Sequence, residues 1–277
     1  MITHIDWLSF TLPVEGEGDI PSHRLFEHLA NIVNSFNPLV AEHLFLNRTY
    51  VPRAGRAPYS IAWTDETGGV TMFGHPAIPH FLIEVSGREC ELLGETAYAA
   101  DFLAAVQPRL TRIDIACDML TETRPDAFAL QREPGRFKAW SEVVSASGHT
   151  IYVGSRESDR YARVYRYNPP HPRSHLLRSE FVLKAEQARL AAATILADGM
   201  DSYSAALGNT FGWTHPDWQT GISTSAEASA WRPERRQGKT VRWVYAQVLP
   251  SLLKLHKDGT LDIRKLFENE ILPRLEE

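Results

Sequence analysis

Apolar and polar residues alternate over most of the first two thirds of the chain, a pattern that predicts β-strands. The predicted strands are Thr3–Leu12, three short runs between residues 41 and 87 (SIAWT, VTMFG and FLIEVSG), Arg109–Met119, Thr150–Gly154, Ala162–Tyr167 and Leu177–Lys184. Turn residues separate the runs between residues 41 and 87, which favours an antiparallel meander in that part of the chain.

Apolar residues at helical spacing predict the helices. The predicted helices are Ser22 to Asn34, Glu95–Val106, Asp126–Gln131, Ala185–Ala197, Trp243–Lys257 and Leu261–Leu275. No internal repeat stands out in the sequence. We therefore predict an α+β fold, with an antiparallel-sheet core and helices over residues 1–190 and a helical C-terminal region over residues 191–277.

The composition is that of an ordinary globular protein, because 43% of the 277 residues are hydrophobic and 23% are charged. A net charge of −5 argues against a general nucleic-acid coat protein, so any DNA binding must come from local basic patches. Cys90 and Cys117, the two cysteines, are not in a CxxC pair, which argues against a disulfide scaffold or a cysteine zinc site. The sequence predicts neither a signal peptide nor a membrane span, so the expected location is the cytoplasm.

The strand Arg109–Met119 carries two acids on one face. Because side chains alternate between the faces of a strand, Arg112, Asp114 and Asp118 share one face and the apolar residues share the other. Neighbouring carboxylates repel each other unless a cation lies among them, so a divalent metal shared with another strand is one explanation. The alternative is a solvated sheet face on which Arg112 pairs with Asp114.

The strand Leu177–Lys184 has the same character, with Arg178, Glu180 and Lys184 on one face. Glu180 would complete an Asp/Asp/Glu set of oxygen ligands, of the kind that Mg²⁺ or Mn²⁺ binds. The alternative is a cross-strand ladder of charged residues that has no catalytic role.

The predicted strand Ala162–Tyr167 carries two tyrosines and an arginine on one face, because Arg163, Tyr165 and Tyr167 alternate with the other residues. A phenol has a pKa of about 10 and is a poor nucleophile at neutral pH, but a cation or metal that lowers this pKa would activate it. The alternative is a pair of half-buried strand tyrosines, which is common because tyrosine favours strands.

Basic residues surround these strands and recur towards the C-terminus. The candidate DNA contacts are Arg156, Arg160, Arg166, Lys184, Arg235, Arg236 and Lys239. The last three belong to the basic run Trp231–Arg242, and Trp231 and Trp243 at the ends of this run would stack on bases. A solubilising linker explains that run equally well.

Five short motifs lie in sequence between Ile5 and Lys184: IDWLSFT, FLIEVSGREC, RIDIACD, IYVGSRxSxxxxRVYRY and RSEFVLK. Their order resembles the replication initiation factor family. This family comprises the Rep-trans type rolling-circle initiators of plasmids, phages and integrative elements, with the related relaxases. A looser similarity covers Thr240–Leu255.

The resemblance implies a nicking enzyme that cuts one DNA strand with a tyrosine and stays linked to the 5′ phosphate. The family's pattern is Arg-x-Tyr-(Asp/Asn)-Lys, and by position it matches Arg163 and Tyr165, which makes Tyr165 the implied nucleophile. Arg163 and Arg178, with Arg156, would then stabilise charge on the phosphate.

The resemblance also implies a divalent metal, Mg²⁺ or Mn²⁺, held by acidic residues instead of histidines. The matching positions are Asp114, Asp118 and Glu180, and Asp118 is either a ligand or a residue that orients another acid. The implied DNA partner is single-stranded or hairpin DNA at a replication or transfer origin. A host helicase and a second copy of the chain are further candidate partners.

The sequence departs from the family's pattern directly after Tyr165, where Arg166 and Tyr167 replace the acid or amide and the lysine. Three explanations are open: Arg166 takes over the role of the lysine, Tyr167 is a second acceptor, or the activity is impaired. Two rival functions therefore stand beside the nickase. One is a catalytically impaired DNA-binding relative that regulates a mobile element, and the other is a structural α+β protein that binds no DNA.

Overall fold

The computed structural model of the protein describes residues 1–14, 20–45, 48–96, 98–131, 139–145 and 148–221, together with Asp258. These residues build one antiparallel sheet of ten strands. The strands are β1 (Ile2–Pro13), β2 (Tyr50–Ala54), β3 (Ile61–Asp65), β4 (Val70–Gly74), β5 (His80–Ser86), β6 (Leu110–Leu120), β7 (Trp140–Ser145), β8 (Gly148–Val153), β9 (Arg160–Tyr167) and β10 (Leu176–Lys184). Their order in the sheet is β2-β3-β4-β5-β1-β6-β10-β9-β8-β7.

Short helices connect or follow the strands. They are α1 (Leu25–Phe36), α2 (Pro38–Phe45), α3 (Arg88–Gly94), α4 (Ala99–Val106), α5 (Pro125–Leu130), α6 (Glu186–Asp198), α7 (Met200–Phe211) and α8 (Pro216–Gly221). Within the described ranges, none of these helices has the length and apolar character that crossing a membrane requires.

The central strands separate an apolar face of the sheet from a polar one. Ile113 and Ile115 on β6 belong to the same buried core as Leu29 of α1, Phe102 of α4 and Ala191 of α6. Because side chains alternate along a strand, the intervening residues of β6 lie on the other face. The hydrophobic packing therefore fixes which residues of β6 and β10 are left for the polar face.

The protein contains two structural repeats, because the strands of each half follow the same order from the edge of the sheet to its centre. Strands β1 to β5 correspond to β6 to β10, and β1 and β6 meet in the middle of the sheet. Across this seam Trp7 lies opposite Asp114 and Ser9 lies opposite Arg112, on either side of the pair Leu8 and Ile113. When the two halves are exchanged, the pair of Trp7 and Asp114 takes the place of the pair of Arg112 and Ser9, and the reverse also holds. A two-fold axis through the sheet at Leu8 and Ile113 would have this effect.

The junctions between strand and helix repeat as well. Gly87 precedes α3 with φ 55° and ψ −126°, and Ala185 precedes α6 with φ 51° and ψ −125°. The N–H of Gly87 donates to the carbonyl of Asp6, and that of Ala185 donates to the carbonyl of Thr111. The two halves, residues 2–106 and 110–211, thus share one plan although no sequence repeat stands out.

The predicted α+β fold and the predicted antiparallel meander are confirmed. The helices and strands that sequence patterns did not predict are α2, β2, α3, β7, α7 and α8. Every residue of β7 is exposed, so this edge strand has no apolar alternation to detect. Helix α7 contains Gly208, where a Cβ atom would lie 2.1 Å from Nε1 of Trp218. Packing therefore requires glycine at this position, although glycine disfavours a helix.

The predicted domain boundary at residue 190 falls within α6. Most of the predicted C-terminal region, including the helices Trp243–Lys257 and Leu261–Leu275, lies outside the described residues. The division into two domains therefore stays a prediction.

Candidate active site

Three adjacent strands, β6, β10 and β9, place the predicted catalytic residues on one face. Glu180 on β10 lies between Ala116 of β6 and Arg163 of β9, while Arg178 lies opposite Tyr165. Residues directly opposite each other in a sheet point to the same side. We call the resulting surface the polar face; it comprises Arg112, Asp114, Asp118, Arg163, Tyr165, Tyr167, Arg178 and Glu180.

Two buried acids lie beneath two arginines on the polar face. The side chains of Asp114 and Glu180 are fully buried, whereas those of Arg112 and Arg163 are 29% and 30% exposed. Arg112 Nε donates to Asp114 Oδ1 at 2.7 Å, and Arg163 Nη2 donates to Glu180 Oε1. The predicted alternative pairing of Arg112 with Asp114 is therefore present, but the carboxylate is not solvated.

The two buried acids interact with each other. Burial raises the pKa of Asp114 to about 7; Arg112 opposes this shift, and the negative charge and hydrogen bond of Glu180 add to it. Two acids that share one low-dielectric site resist being ionised together. Asp114 and Glu180 thus form a pair of interacting carboxyl groups under the guanidinium groups.

The hydroxyl of Tyr165 donates a hydrogen bond of 3.0 Å to Glu180 Oε2. Burial raises the pKa of Tyr165 above its ordinary value, and the negative charge of Glu180 raises it further. The sequence suggested that a cation or metal would lower the pKa of the phenol, whereas the pKa of Tyr165 is raised in this structure. The phenol needs a base at the moment when it reacts, and Glu180 is the carboxylate in contact with it.

Asp118 and Arg178 form a separate ion pair. Arg178 Nε and Nη2 donate to the two oxygens of Asp118, each at 2.7 Å, and Nη1 donates to Asp6 at 2.8 Å. The side chain of Arg178 is 1% exposed. Its guanidinium is thus held by carboxylates, in contrast to the phosphate contact that was predicted for it.

Sequence patterns missed a group next to this pair, formed by His4, Asp6 and Glu91. Ligand atoms of these three side chains lie within 4.8 Å of one another, and no other such group of histidine, cysteine and acidic residues occurs in the described part of the chain. Arg173 donates to both oxygens of Glu91 at 2.6 Å. The group was hidden because it depends on α3 lying beside β1 and on a bulge between Ile5 and Trp7.

Part of the predicted metal site fits a divalent ion. Asp114 and Glu180 supply neighbouring buried carboxylates, whose mutual repulsion a cation would relieve. Asp118 does not join them in a three-ligand group among the described residues, and both of its oxygens bind Arg178. The assignment of Asp114 and Glu180 as ligands stays a prediction.

Two of the predicted DNA contacts lie at the end of the polar face. Arg156 is exposed in the turn between β8 and β9, and its guanidinium carbon lies 5.0 Å from the ring centroid of Tyr152. Lys184 Nζ donates to the carbonyl of Arg156 at 2.6 Å and lies 5.1 Å from the ring centroid of Tyr161. These cations extend the arginine surface beyond Arg163.

Arg160 and Arg166 lie on the opposite side of β9, the side on which Val164 joins the core. The guanidinium of Arg166 donates to backbone carbonyls, at 3.0 Å to His175 and at 3.0 Å to Thr123. Arg166 therefore does not face Tyr165 as a substitute for the missing lysine. The other predicted contacts, Arg235, Arg236 and Lys239, lie outside the described residues.

The fold has a known counterpart. The chain aligns with a structure described as a rolling circle replication initiator protein from Geobacillus stearothermophilus, with a TM-score of 0.52 and 17% sequence identity, over 78% of this chain and 90% of that chain. The chain has the fold of a rolling-circle replication initiator. The initiator-like fold that the five motifs predicted is thereby confirmed, whereas 17% identity does not by itself carry the activity across.

No protein-family model and no functionally curated protein matches the chain.

Proposed function

We propose that the chain is a rolling-circle replication initiator that nicks and rejoins one DNA strand through Tyr165. The observation that carries the proposal is the hydrogen bond of 3.0 Å from the Tyr165 hydroxyl to the buried Glu180, on the polar face of an initiator-like fold. A nucleophile in contact with a base and surrounded by arginines is the arrangement that phosphoryl transfer requires.

In the proposed reaction, the Tyr165 oxygen attacks the scissile phosphorus while Glu180 takes the phenolic proton. The bond from phosphorus to the 3′ oxygen breaks, and this oxygen leaves as a hydroxyl after taking a proton from solvent water, to which Glu180 then releases the phenolic proton. The products are a 5′-phosphotyrosine and a free 3′ end that primes synthesis. Because one phosphodiester is exchanged for another, the later rejoining by a 3′ hydroxyl needs no other energy source.

Arginines would bind the phosphate. Arg112 and Arg163 cover the acids and are partly exposed, and the guanidinium carbon of Arg163 lies 5.6 Å from the ring centroid of Tyr165. Guanidinium groups bind phosphate oxygens in a bidentate manner and stabilise the charge that develops in the transition state. We assign this role to Arg163 and a DNA-positioning role to Arg156.

Asp114 and Glu180 are the residues that would hold a divalent ion, Mg²⁺ or Mn²⁺, which when bound supplies Lewis-acid polarisation of the scissile phosphate. The partner DNA in this proposal is single-stranded or extruded from a hairpin at an origin, because a sheet face gives room for an unpaired strand.

The test is formation of a covalent adduct. Purified protein is incubated with Mn²⁺ and labelled single-stranded and hairpin oligonucleotides that tile both strands of the DNA carrying the gene. We expect a denaturant-resistant adduct that maps to Tyr165 by mass spectrometry and that Tyr165→Phe abolishes without weakening DNA binding. The absence of any adduct from protein that binds these oligonucleotides would contradict the nickase.

That last outcome would instead support a DNA-binding regulator. The observation that favours this second function is that both acids already have hydrogen-bond partners within the protein. Arg112 donates to Asp114, and Arg163 and Tyr165 donate to Glu180. In such a regulator Tyr165→Phe would change neither DNA binding nor its biological effect.

A further inference from the structure

Tyr167 brings a second phenol to the reacting position of the polar face. Its hydroxyl oxygen lies 3.5 Å from that of Tyr165, and the two rings meet edge to face with centroids 5.3 Å apart. Gly148 lies opposite Tyr167 on β8, so the residue directly opposite Tyr167 has no side chain that could cover it. A phosphate that can reach one hydroxyl can therefore reach the other after a small displacement.

The ring of Tyr167 is held from two further directions. His171 stacks on it with centroids 3.9 Å apart and an interplanar angle of 13°. The guanidinium carbon of Arg178, itself fixed by Asp118 and Asp6, lies 5.5 Å from the ring centroid. A phenol held in this way presents its oxygen beside Tyr165 with little loss of rotational freedom on reaction.

We infer that Tyr167 is a second nucleophile, which acts on a second phosphodiester while Tyr165 still carries DNA. The inference rests on the proposed function. Nicking and rejoining at two successive sites needs two acceptors, because the first tyrosine is occupied when the second cut is made. Tyr167 supplies the second acceptor within one chain.

The transfers balance without a co-reactant. The Tyr167 oxygen attacks the second phosphorus and gives its proton to solvent water. The bond from that phosphorus to its 3′ oxygen breaks, and this oxygen takes a proton from solvent water to become a 3′ hydroxyl. This hydroxyl then attacks the phosphotyrosine at Tyr165, forms a new phosphodiester and restores the Tyr165 phenol. Each step exchanges one phosphodiester for another.

The alternative role for Tyr167 is to position Tyr165 through contact between the two phenols. The two roles differ in what the variant Tyr167→Phe loses. A positioning residue affects the first cut and the second transfer alike, whereas a second nucleophile affects the second transfer alone. Tyr161→Phe is the matched control, because Tyr161 lies on the same strand and face but beyond Arg163.

The experiment uses the oligonucleotide that forms the Tyr165 adduct, shortened so that its 3′-hydroxyl fragment dissociates after the first cut. A second copy of this oligonucleotide with a different label is added to the adduct at a protein concentration low enough to keep the chains separate. We expect wild-type protein and Tyr161→Phe to yield the joined strand and an adduct that maps to Tyr167.

Tyr167→Phe should make the first cut within about twofold of the wild-type rate but form the joined strand about a hundredfold more slowly. Equal slowing of both steps would show a positioning role and overturn the inference. Unchanged joining by Tyr167→Phe would also overturn it, as would joining that increases with protein concentration because a second copy supplies the acceptor. If wild-type protein forms no adduct at all, the proposed function itself fails.

Discussion

Each buried carboxylate of the polar face is bound by an arginine. The pairs are Arg112 with Asp114, Arg163 with Glu180 and Arg178 with Asp118. A buried acid without a partner would be strongly unfavourable, and a guanidinium above it restores neutrality. Because Arg112 and Arg163 are partly exposed, DNA approaching the central part of this surface would meet positive charge, although acids lie at its base.

The raised pKa of Asp114 predicts a pH-dependent stability in metal-free buffer. The folded protein binds a proton at Asp114 more tightly than the unfolded chain does, so Asp114 favours folding at low pH. This contribution decreases as pH rises from the ordinary aspartate value of about 4 to about 7. We expect the free energy of unfolding to fall with pH more steeply for wild-type protein than for Asp114→Asn.

The measurement is denaturant unfolding at a series of pH values between the two pKa values and above them. The exposed Asp101→Asn serves as the control, with the same change of charge and a pH dependence like that of the wild type. A constant difference between wild-type protein and Asp114→Asn across this range would contradict the prediction.

The pair of Arg163 and Glu180 predicts a strong coupling in a double-mutant cycle. Arg163→Met leaves Glu180 buried without its cation and should lower the free energy of unfolding by about 3 kcal/mol. Adding Glu180→Gln removes the buried charge and should recover much of that loss. Unfolding of the wild type, both single variants and the double variant measures the coupling, and strictly additive effects would argue against the pair.

At the scale of the elements, alternation along the strands predicts which side chains belong to the polar face. Once β6, β9 and β10 were predicted as strands, period two placed Asp114, Tyr165 and Glu180 each on a defined side. It also leaves Arg166 and Tyr167 on opposite sides of β9, so only Tyr167 can face Tyr165. The alternation within each strand does not show that Asp114, Tyr165 and Glu180 lie on the same face of the sheet. That depends on the order of the strands in the sheet.

The contacts of Glu91 lay beyond sequence reasoning for a different reason. Helix α3 has seven residues, too few for a clear helical period, and the bulge in β1 shifts the alternation between Ile5 and Trp7. The carboxylate of Glu91 and the side chains of His4 and Asp6 meet only because this helix lies beside that bulged strand. Packing between elements, and not any one pattern, creates the group.

The close approach of α7 and α8 predicts a position that tolerates only glycine. A Cβ atom at Gly208 would lie 2.1 Å from Nε1 and 2.2 Å from Cε2 of Trp218, whose indole is buried against Phe181 and Trp213. Gly208→Ala should therefore lower the free energy of unfolding by about 2 kcal/mol or more.

The control is Gly94→Ala at the end of α3, where nothing lies within 4 Å of the added Cβ atom. Alanine favours a helix more than glycine does, so this variant should gain up to about 1 kcal/mol. Thermal or denaturant unfolding compares the two variants, and equal effects would show that the indole moves aside.

At the scale of the whole molecule, the net charge of −5 means that the proposed DNA binding would depend on a local surface. Arg156 lies at the end of β8 beside Lys184, whereas Arg53 is exposed on β2 in the other half of the sheet. If single-stranded DNA follows the polar face, Arg156 contacts a phosphate and Arg53 does not.

Arg156→Ala should then reduce the slope of log affinity against log salt concentration by about one, while Arg53→Ala leaves it unchanged. Both variants make the same change in net charge, so the comparison separates a contact from the general field. A slope that changes equally in the two variants would place the DNA elsewhere.

The two structural repeats give this scaffold a second place for a reactive centre. The residues of the first half that correspond to Asp114, Arg163 and Glu180 are Ser9, Phe73 and Leu82, as the strand registers of the two halves show. The residues proposed for phosphoryl transfer thus occur in the second half, whereas the matching positions of the first half carry a hydroxyl, an aromatic ring and an aliphatic side chain. A protein engineer could therefore place the proposed phosphoryl-transfer residues in the first half at the same spacing, without altering the second half.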